Sequence, residues 1–158
     1  MSTEIDTSLQ LSKVIAADPE TVFRAWTDPE QVKLWSCPES VMIDDVQIDL
    51  TVGGQYRICM KGDEGAWTAV GTYREIEPPR RLVYTWDWEE KEHKMSQHDR
   101  LSGSGETIVT VEFQDLDGST EVVLTHELFP NSEAKAGHET GWLSCLNKLE
   151  EMFARHAP

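Results

Sequence analysis

His126 and His138 are the side chains of this chain whose types and positions could do chemistry. His126 alternates with Leu124 and Leu128 in an extended run, which puts all three on one inward face. A buried imidazole there could hydrogen-bond a ligand carbonyl or act as a general base. Its plainer role is that of a core histidine satisfied by protein or water. His138 sits near the start of a long helical stripe shared with Trp142, where the helix dipole disfavours a protonated ring. Its plainer role is to orient that helix through a backbone hydrogen bond.

Other reactive types are less focused. Cys37, Cys59 and Cys145 are widely spaced with no C-x-x-C pair, and read as buried thiols. Only Cys145, on the same helix as His138, could form a Cys–His pair. Asp44, Asp45, Glu89, Glu90 and Glu92 look like solvated faces rather than an acid pair. His93, Met95, His98 and Asp99 lie in a charged, Ser- and Gly-rich connection from Glu89 to Gly105, expected to be a mobile loop without the fixed geometry a metal needs. No metal and no cofactor is expected. Signatures of the common hydrolases and nucleotide enzymes, such as G-x-S-x-G, a phosphate loop or H-E-x-x-H, do not occur. Catalysis is therefore the lesser expectation, although a cyclase-type enzyme needs only a shaped cavity and one or two polar groups.

The elements that must position these residues are legible from period and punctuation. An extended segment, roughly 8 to 17, runs into Asp18-Pro19-Glu20, a capped helix start, and the same signal recurs at Asp28-Pro29-Glu30. The two short helices so begun carry Val22, Phe23 and Trp26, then Val32 and Trp35, and stop before Pro38. Extended runs follow at 41–51, 55–61, 66–76, 81–88, 106–115 and 120–128, separated by turn signals that include Gly53-Gly54, Pro78-Pro79 and Asp117-Gly118. From about Ser132 to His156 the period turns helical. His138, Trp142, Cys145, Leu146, Leu149, Met152 and Phe153 form the apolar stripe, with Lys135, Glu139, Ser144, Lys148, Glu151 and Arg155 opposite.

Seven strands and one long helix pose a burial problem whose solution is an α+β helix-grip fold: a curved seven-stranded antiparallel sheet wrapped on the C-terminal helix, with two short helices between strands 1 and 2. Thr107, Val109, Val111 and Phe113, then Val122, Leu124, His126 and Leu128, and Leu82, Tyr84, Trp86 and Trp88 are expected to face the helix. A curved sheet and one helix do not close tightly at both ends, so a cavity is expected between them. Trp35, Tyr56, Trp67, Trp86, His126, His138 and Trp142 are the residues expected to line it.

Val14 to Phe23 with Ala25-Trp26, Trp35, Gly53-Gly54-Gln55-Tyr56-Arg57, the run Glu75 to Trp86 and His138-Glu139-Thr140-Gly141-Trp142 with Leu146 and Leu149 together resemble one family. It is that of proteins related to the C-terminal domain of the heat-shock-protein-ninety ATPase activator, within the START and birch-allergen superfamily. The resemblance runs from about residue 9 to 153. It implies the helix-grip fold, with a hydrophobic pocket between sheet and helix, in a superfamily of lipid carriers, polyketide cyclases, hormone receptors and co-chaperone domains. The eukaryotic activators carry an additional N-terminal domain that binds the chaperone, for which this chain has no room.

Composition bounds the partners. The 158 residues carry 29 acidic against 14 basic side chains, a formal charge of −15 that repels phosphate backbones and anionic membranes. No apolar run approaches the ~18 residues of a membrane span and no leader pattern opens the chain. One cytoplasmic domain spanning 1–158 is expected. Its partner is expected to be a small hydrophobic molecule, with a chaperone or a second copy of the chain as the alternatives.

Overall fold

Each Asp-Pro-Glu triplet begins a helix. Asp18 Oδ1 accepts a hydrogen bond from Thr21 N at 3.0 Å, and helix α1 runs Pro19–Thr27. Asp28 Oδ1 accepts from Glu30 N at 3.0 Å, and α2 runs Pro29–Trp35. Both caps satisfy N–H groups that a helix start leaves unpaired. Hydrogen bonding from Thr21, its side chain first and then its backbone N–H, also holds the Asp18 carboxyl below its ordinary value. The computed structural model describes residues 8–36, 41–62, 65–88, 107–129 and 132–154. Cys37, the connection 89–105 with its histidines and acids, and Arg155 lie outside the described residues.

The strands are β1 (Leu9–Ile15), β2 (Met42–Ile48), β3 (Gln55–Gly62), β4 (Gly65–Glu77), β5 (Arg81–Trp88), β6 (Thr107–Asp115) and β7 (Thr120–Glu127). They form one antiparallel sheet in the order β1-β7-β6-β5-β4-β3-β2. Strands 1 and 2 thus occupy opposite edges, and α1 and α2 carry the chain from one to the other. The long helix α3, Ser132–Ala154, buries Ala134, His138, Trp142, Cys145, Leu146 and Leu149. This is the expected helix-grip architecture.

Register explains which side chains α3 meets. Val109 pairs with His126, Val111 with Leu124 and Phe113 with Val122, and all six are buried. At the β6–β7 turn, Asp117 (φ 68°) and Gly118 (φ 112°) both take the left-handed backbone that a tight hairpin requires. Leu128 departs from expectation. β7 ends at Glu127, and Leu128 adopts φ 73°, which breaks the alternation. Its side chain is 58% exposed, and Phe129, 3% exposed, turns inward in its place. Asp44 and Asp45 are surface residues, paired with Lys61 at 3.9 Å and accepting from Gln47 at 3.0 Å.

The short helices close one end of the fold. Phe23 and Trp26 meet Phe113 edge-on at ring separations of 5.3 and 5.7 Å. Trp26 Nε1 donates to Tyr84 Oη at 3.2 Å, and Trp35 Nε1 to the Ala25 carbonyl at 2.9 Å. The α3 backbone approaches β1 and α2, and Lys13 of β1 reaches Glu150 at 3.4 Å. Away from those approaches the helix is held off the sheet by large side chains.

One strand crossing depends on a missing side chain. Gly71 of β4 lies opposite Tyr56 of β3, whose hydroxyl donates to the Thr85 carbonyl of β5 at 2.6 Å. A Cβ on Gly71 would collide with that carbonyl and with the Tyr56 ring. Gly71→Ala is therefore expected to destabilise the fold by about 1 to 3 kcal/mol through overpacking, read from the urea midpoint. An unchanged midpoint would show that Tyr56 does not cross β4 there.

Candidate functional site

Between α3 and the sheet lies a cavity of about 210 Å³. Strand β5 contributes Trp86 and Trp88, β4 contributes Trp67 and β3 contributes Met60. Helix α3 contributes Gly137, His138, Gly141, Trp142 and Cys145, while Ser36 and Val41 come from the segments flanking β2. No charged side chain is among these lining residues.

Two of the four indoles are fixed by hydrogen bonds that cross between helix and sheet in opposite senses. Trp142 of α3 donates its Nε1–H to His126 Nδ1 of β7 at 3.0 Å. Trp88 of β5 donates its Nε1–H to His138 Nε2 of α3 at 3.2 Å. Each histidine must offer a lone pair, so each must be neutral, and the remaining ring nitrogen carries the proton. His138 Nδ1–H then donates to the Ala134 carbonyl at 2.8 Å. His126 Nε2–H donates to Thr107 Oγ1 at 2.6 Å, and the Thr107 hydroxyl donates onward to the Trp86 carbonyl at 2.9 Å.

Electrostatics agree that both rings are neutral. Burial pushes the His126 imidazole well below its ordinary value, helped by the His138 ring 5.3 Å away. Burial also pulls His138 down, partly opposed by its bond to Ala134. The Tyr84 phenol is raised, chiefly by burial.

Of the seven residues expected at the site, Trp67, Trp86, His138 and Trp142 meet at the cavity. Trp35 and Tyr56 line a neighbouring space of about 20 Å³, also bordered by Ser36 and Trp86. His126 is fully buried behind Trp142 and Phe129, the latter tilted against it at a ring separation of 4.3 Å. With both nitrogens engaged, it is a structural acceptor for Trp142 rather than a group facing an occupant. A catalytic Cys145–His138 pair, set aside from the sequence, is likewise pre-empted, because both His138 nitrogens are taken. Cys145 is buried, but Cys59 is only half-buried and accepts a 3.8 Å contact from the Thr68 hydroxyl.

Sequence reasoning left Trp88, Met60 and the two helix glycines out of the site. Strand alternation did place Trp88 on the inward face. Gly137 and Gly141, one helical turn apart, were a further signal: each is about 1 kcal/mol less favourable in a helix than alanine. Both line the cavity.

The family model described as "Activator of Hsp90 ATPase homolog 1-like protein" matches residues 16–154. A solved structure of a Silicibacter pomeroyi protein described as AHSA1 is 25% identical, covering 95% of this chain and 99% of that one, with a TM-score of 0.78. A Chromobacterium violaceum protein is 23% identical over 93% of this chain and 96% of its own, at a TM-score of 0.79. A Nitrosomonas europaea protein is 23% identical over 95% and 96%, at 0.74. The latter two show likeness of fold alone. None of the curated proteins matches the sequence. Among the described residues no helix is long and apolar enough to cross a membrane.

Two outcomes follow from the histidine–indole bonds. Trp142 is 5% exposed, and Trp142→Ala is expected to cost about 3 to 5 kcal/mol in a denaturant titration; a loss below about 1 kcal/mol would contradict its wedged position. Because the folded imidazoles resist protonation, the unfolded chain binds more protons below the ordinary histidine value of about 6.5. Stability is thus full above that value and falls as pH drops from about 6.5 toward 5, ahead of most carboxylates. Urea unfolding at a series of pH values checks this, and a flat profile across that window would rule out buried neutral imidazoles.

Proposed function

The chain belongs to the activator of Hsp90 ATPase homolog 1-like family, and on that premise we infer that it binds a small apolar or aromatic molecule in the cavity between sheet and C-terminal helix. The observation that supports this is the cavity itself: about 210 Å³, walled among the described residues by four indoles and no charged side chain. Protein interiors are otherwise close-packed, and a cavity of about 150 Å³ already admits benzene. The wall is also preformed, since Trp88 and Trp142 are held by His138 and His126, so an occupant need not order them.

Trp67, Trp86, Trp88, Trp142 and His138 would touch the occupant. Trp35, Tyr56 and His126 would act from behind, by holding the rings that do. Binding rather than turnover is the role we assign, because the cyclase alternative relied on His126 as base and both its nitrogens are engaged. We further propose that residues 1–158 act as one domain in the cytoplasm. Chaperone engagement remains the alternative to test.

Toluene titrated into ¹⁵N-labelled protein should move the indole resonances of Trp67, Trp86, Trp88 and Trp142 saturably, leaving those of Trp26 and Trp35 nearly still. Gly141→Leu, which places a side chain in the cavity wall, should abolish the shifts while the protein stays folded. Absence of any saturable shift in the parent protein would overturn the ligand-binding function and favour a chaperone-type interaction module.

A further inference from the structure

The two histidine–indole bonds are set at different depths. His126 is fully buried and its partner Trp142 is 5% exposed. His138 lines the cavity, and its partner Trp88, the last residue of β5, is half-buried and lines the cavity as well. The outer pair therefore joins the occupant's space directly to a side chain of the type that titrates near neutrality.

We propose that the His138–Trp88 bond is a proton-operated latch in the cavity wall: a proton taken up at His138 Nε2 frees the Trp88 ring, and the cavity releases its occupant. The proposal rests on the ligand-binding function above and adds a regulation to it. Neutral His138 spends its Nε2 lone pair on Trp88 and its Nδ1–H on the Ala134 carbonyl. Protonation fills that lone pair, so that Nε2–H and Trp88 Nε1–H face each other as two donors with no acceptor between them. The bond to Ala134 survives, because Nδ1–H is a donor in both forms. The imidazole thus keeps its place on α3 and the indole gives way.

The groups facing His138 leave the new charge unmatched. β7 presents His126, its ring 5.3 Å away. β5 presents Trp86 and Trp88 at ring separations of 6.5 and 6.0 Å, and Phe129, just past β7, lies at 5.0 Å. Met60 of β3, Trp67 of β4 and Ser36 after α2 share the cavity wall, as does Cys145, two turns further along α3. Lys135 and Glu139 of α3 are not among the residues that the helix buries. Of the facing groups only His126 and Cys145 titrate; a thiol is neutral in acid and a second imidazole repels the charge. No carboxylate is among the described lining residues, so the charge has to be met by water, which enters as the Trp88 ring moves aside.

The sign of the pH dependence follows. Burial holds His138 below its ordinary value, so the latch is shut at neutral pH and opens only below about 6.5. An occupant that needs the shut wall must in turn lower the His138 value further, by reciprocity. Toluene does not titrate, so its affinity reports the wall alone. In the parent protein that affinity should be level from about pH 8 to about 7 and then, as His138 takes up its proton, fall toward about tenfold for each further unit. The Trp88 indole proton should move upfield over the same titration, the sign of a hydrogen bond lost, while those of Trp26 and Trp35 keep their native positions. His138→Gln, whose amide accepts and donates without titrating, should show no such fall, whatever its affinity at neutral pH.

Toluene affinity that stays level in the parent protein while the His138 ring titrates would overturn the latch and leave the binding function standing. A fall that persists in His138→Gln would do the same. So would a fall in which the Trp26 and Trp35 resonances vanish together with that of Trp88, because acid would then be unfolding the whole domain. No toluene binding at any pH removes the binding function and the latch with it. The titration of the parent protein stands alone, so poor folding of His138→Gln does not shield the proposal.

Discussion

A single helix cannot cover a seven-stranded sheet. At about 4.8 Å between strands the sheet is close to 30 Å wide, whereas a helix with its side chains is about 10 to 12 Å across. The remaining apolar face has to be covered by something else. At one end α1 and α2 do so, with Phe23 and Trp26 meeting Phe113. Elsewhere the distance is spanned by indoles, and rigid rings meeting at steep angles do not fill space completely. Trp86 meets Trp88 at 85° and Trp142 at 49°. The cavity is thus a consequence of the covering problem, and the placement of the tryptophans decides where it lies.

Polar satisfaction then determines how well the cavity keeps its shape. Each large ring brought into the gap carries an N–H that must be met. Two are met by neutral imidazoles across the helix–sheet boundary, so the rings are oriented by hydrogen bonds as well as by contact. Tyr56 performs the same service within the sheet, passing over Gly71 to bond the Thr85 carbonyl. The wall of the site is therefore built from the same bonds that dock the helix, and positioning the site and folding the domain are largely one task.

Most of the architecture was legible in the sequence because it is written in local signals. Asp18-Pro19 and Asp28-Pro29 mark helix starts by capping chemistry, Asp117-Gly118 marks a hairpin by its backbone freedom, and alternation from Thr107 to Phe113 marks a face. Leu128 was misplaced because alternation holds only while the strand does; a left-handed residue at its end reverses the sense. The site was legible in part. Alternation says that His126 points inward, and ring type marks Trp35 and Tyr56 as inward candidates, but neither tells depth, and depth separates a residue lining a cavity from one buried behind it. Which nitrogen of His126 meets which neighbour depends on Thr107 and Trp142, residues far apart in the chain and unrelated in period.

The two histidine–indole bonds also constrain how such a chain can diverge. In each bond one partner belongs to the sheet and the other to the helix, and the donor is on the helix in one case and on the sheet in the other. Replacing the tryptophan alone leaves a buried ring nitrogen without its donor, and replacing the histidine alone leaves a buried N–H without its acceptor. A single step in either direction passes through a poorly docked helix. Drift at these four positions has to proceed in matched pairs, so that the sheet and the helix inherit each other's changes.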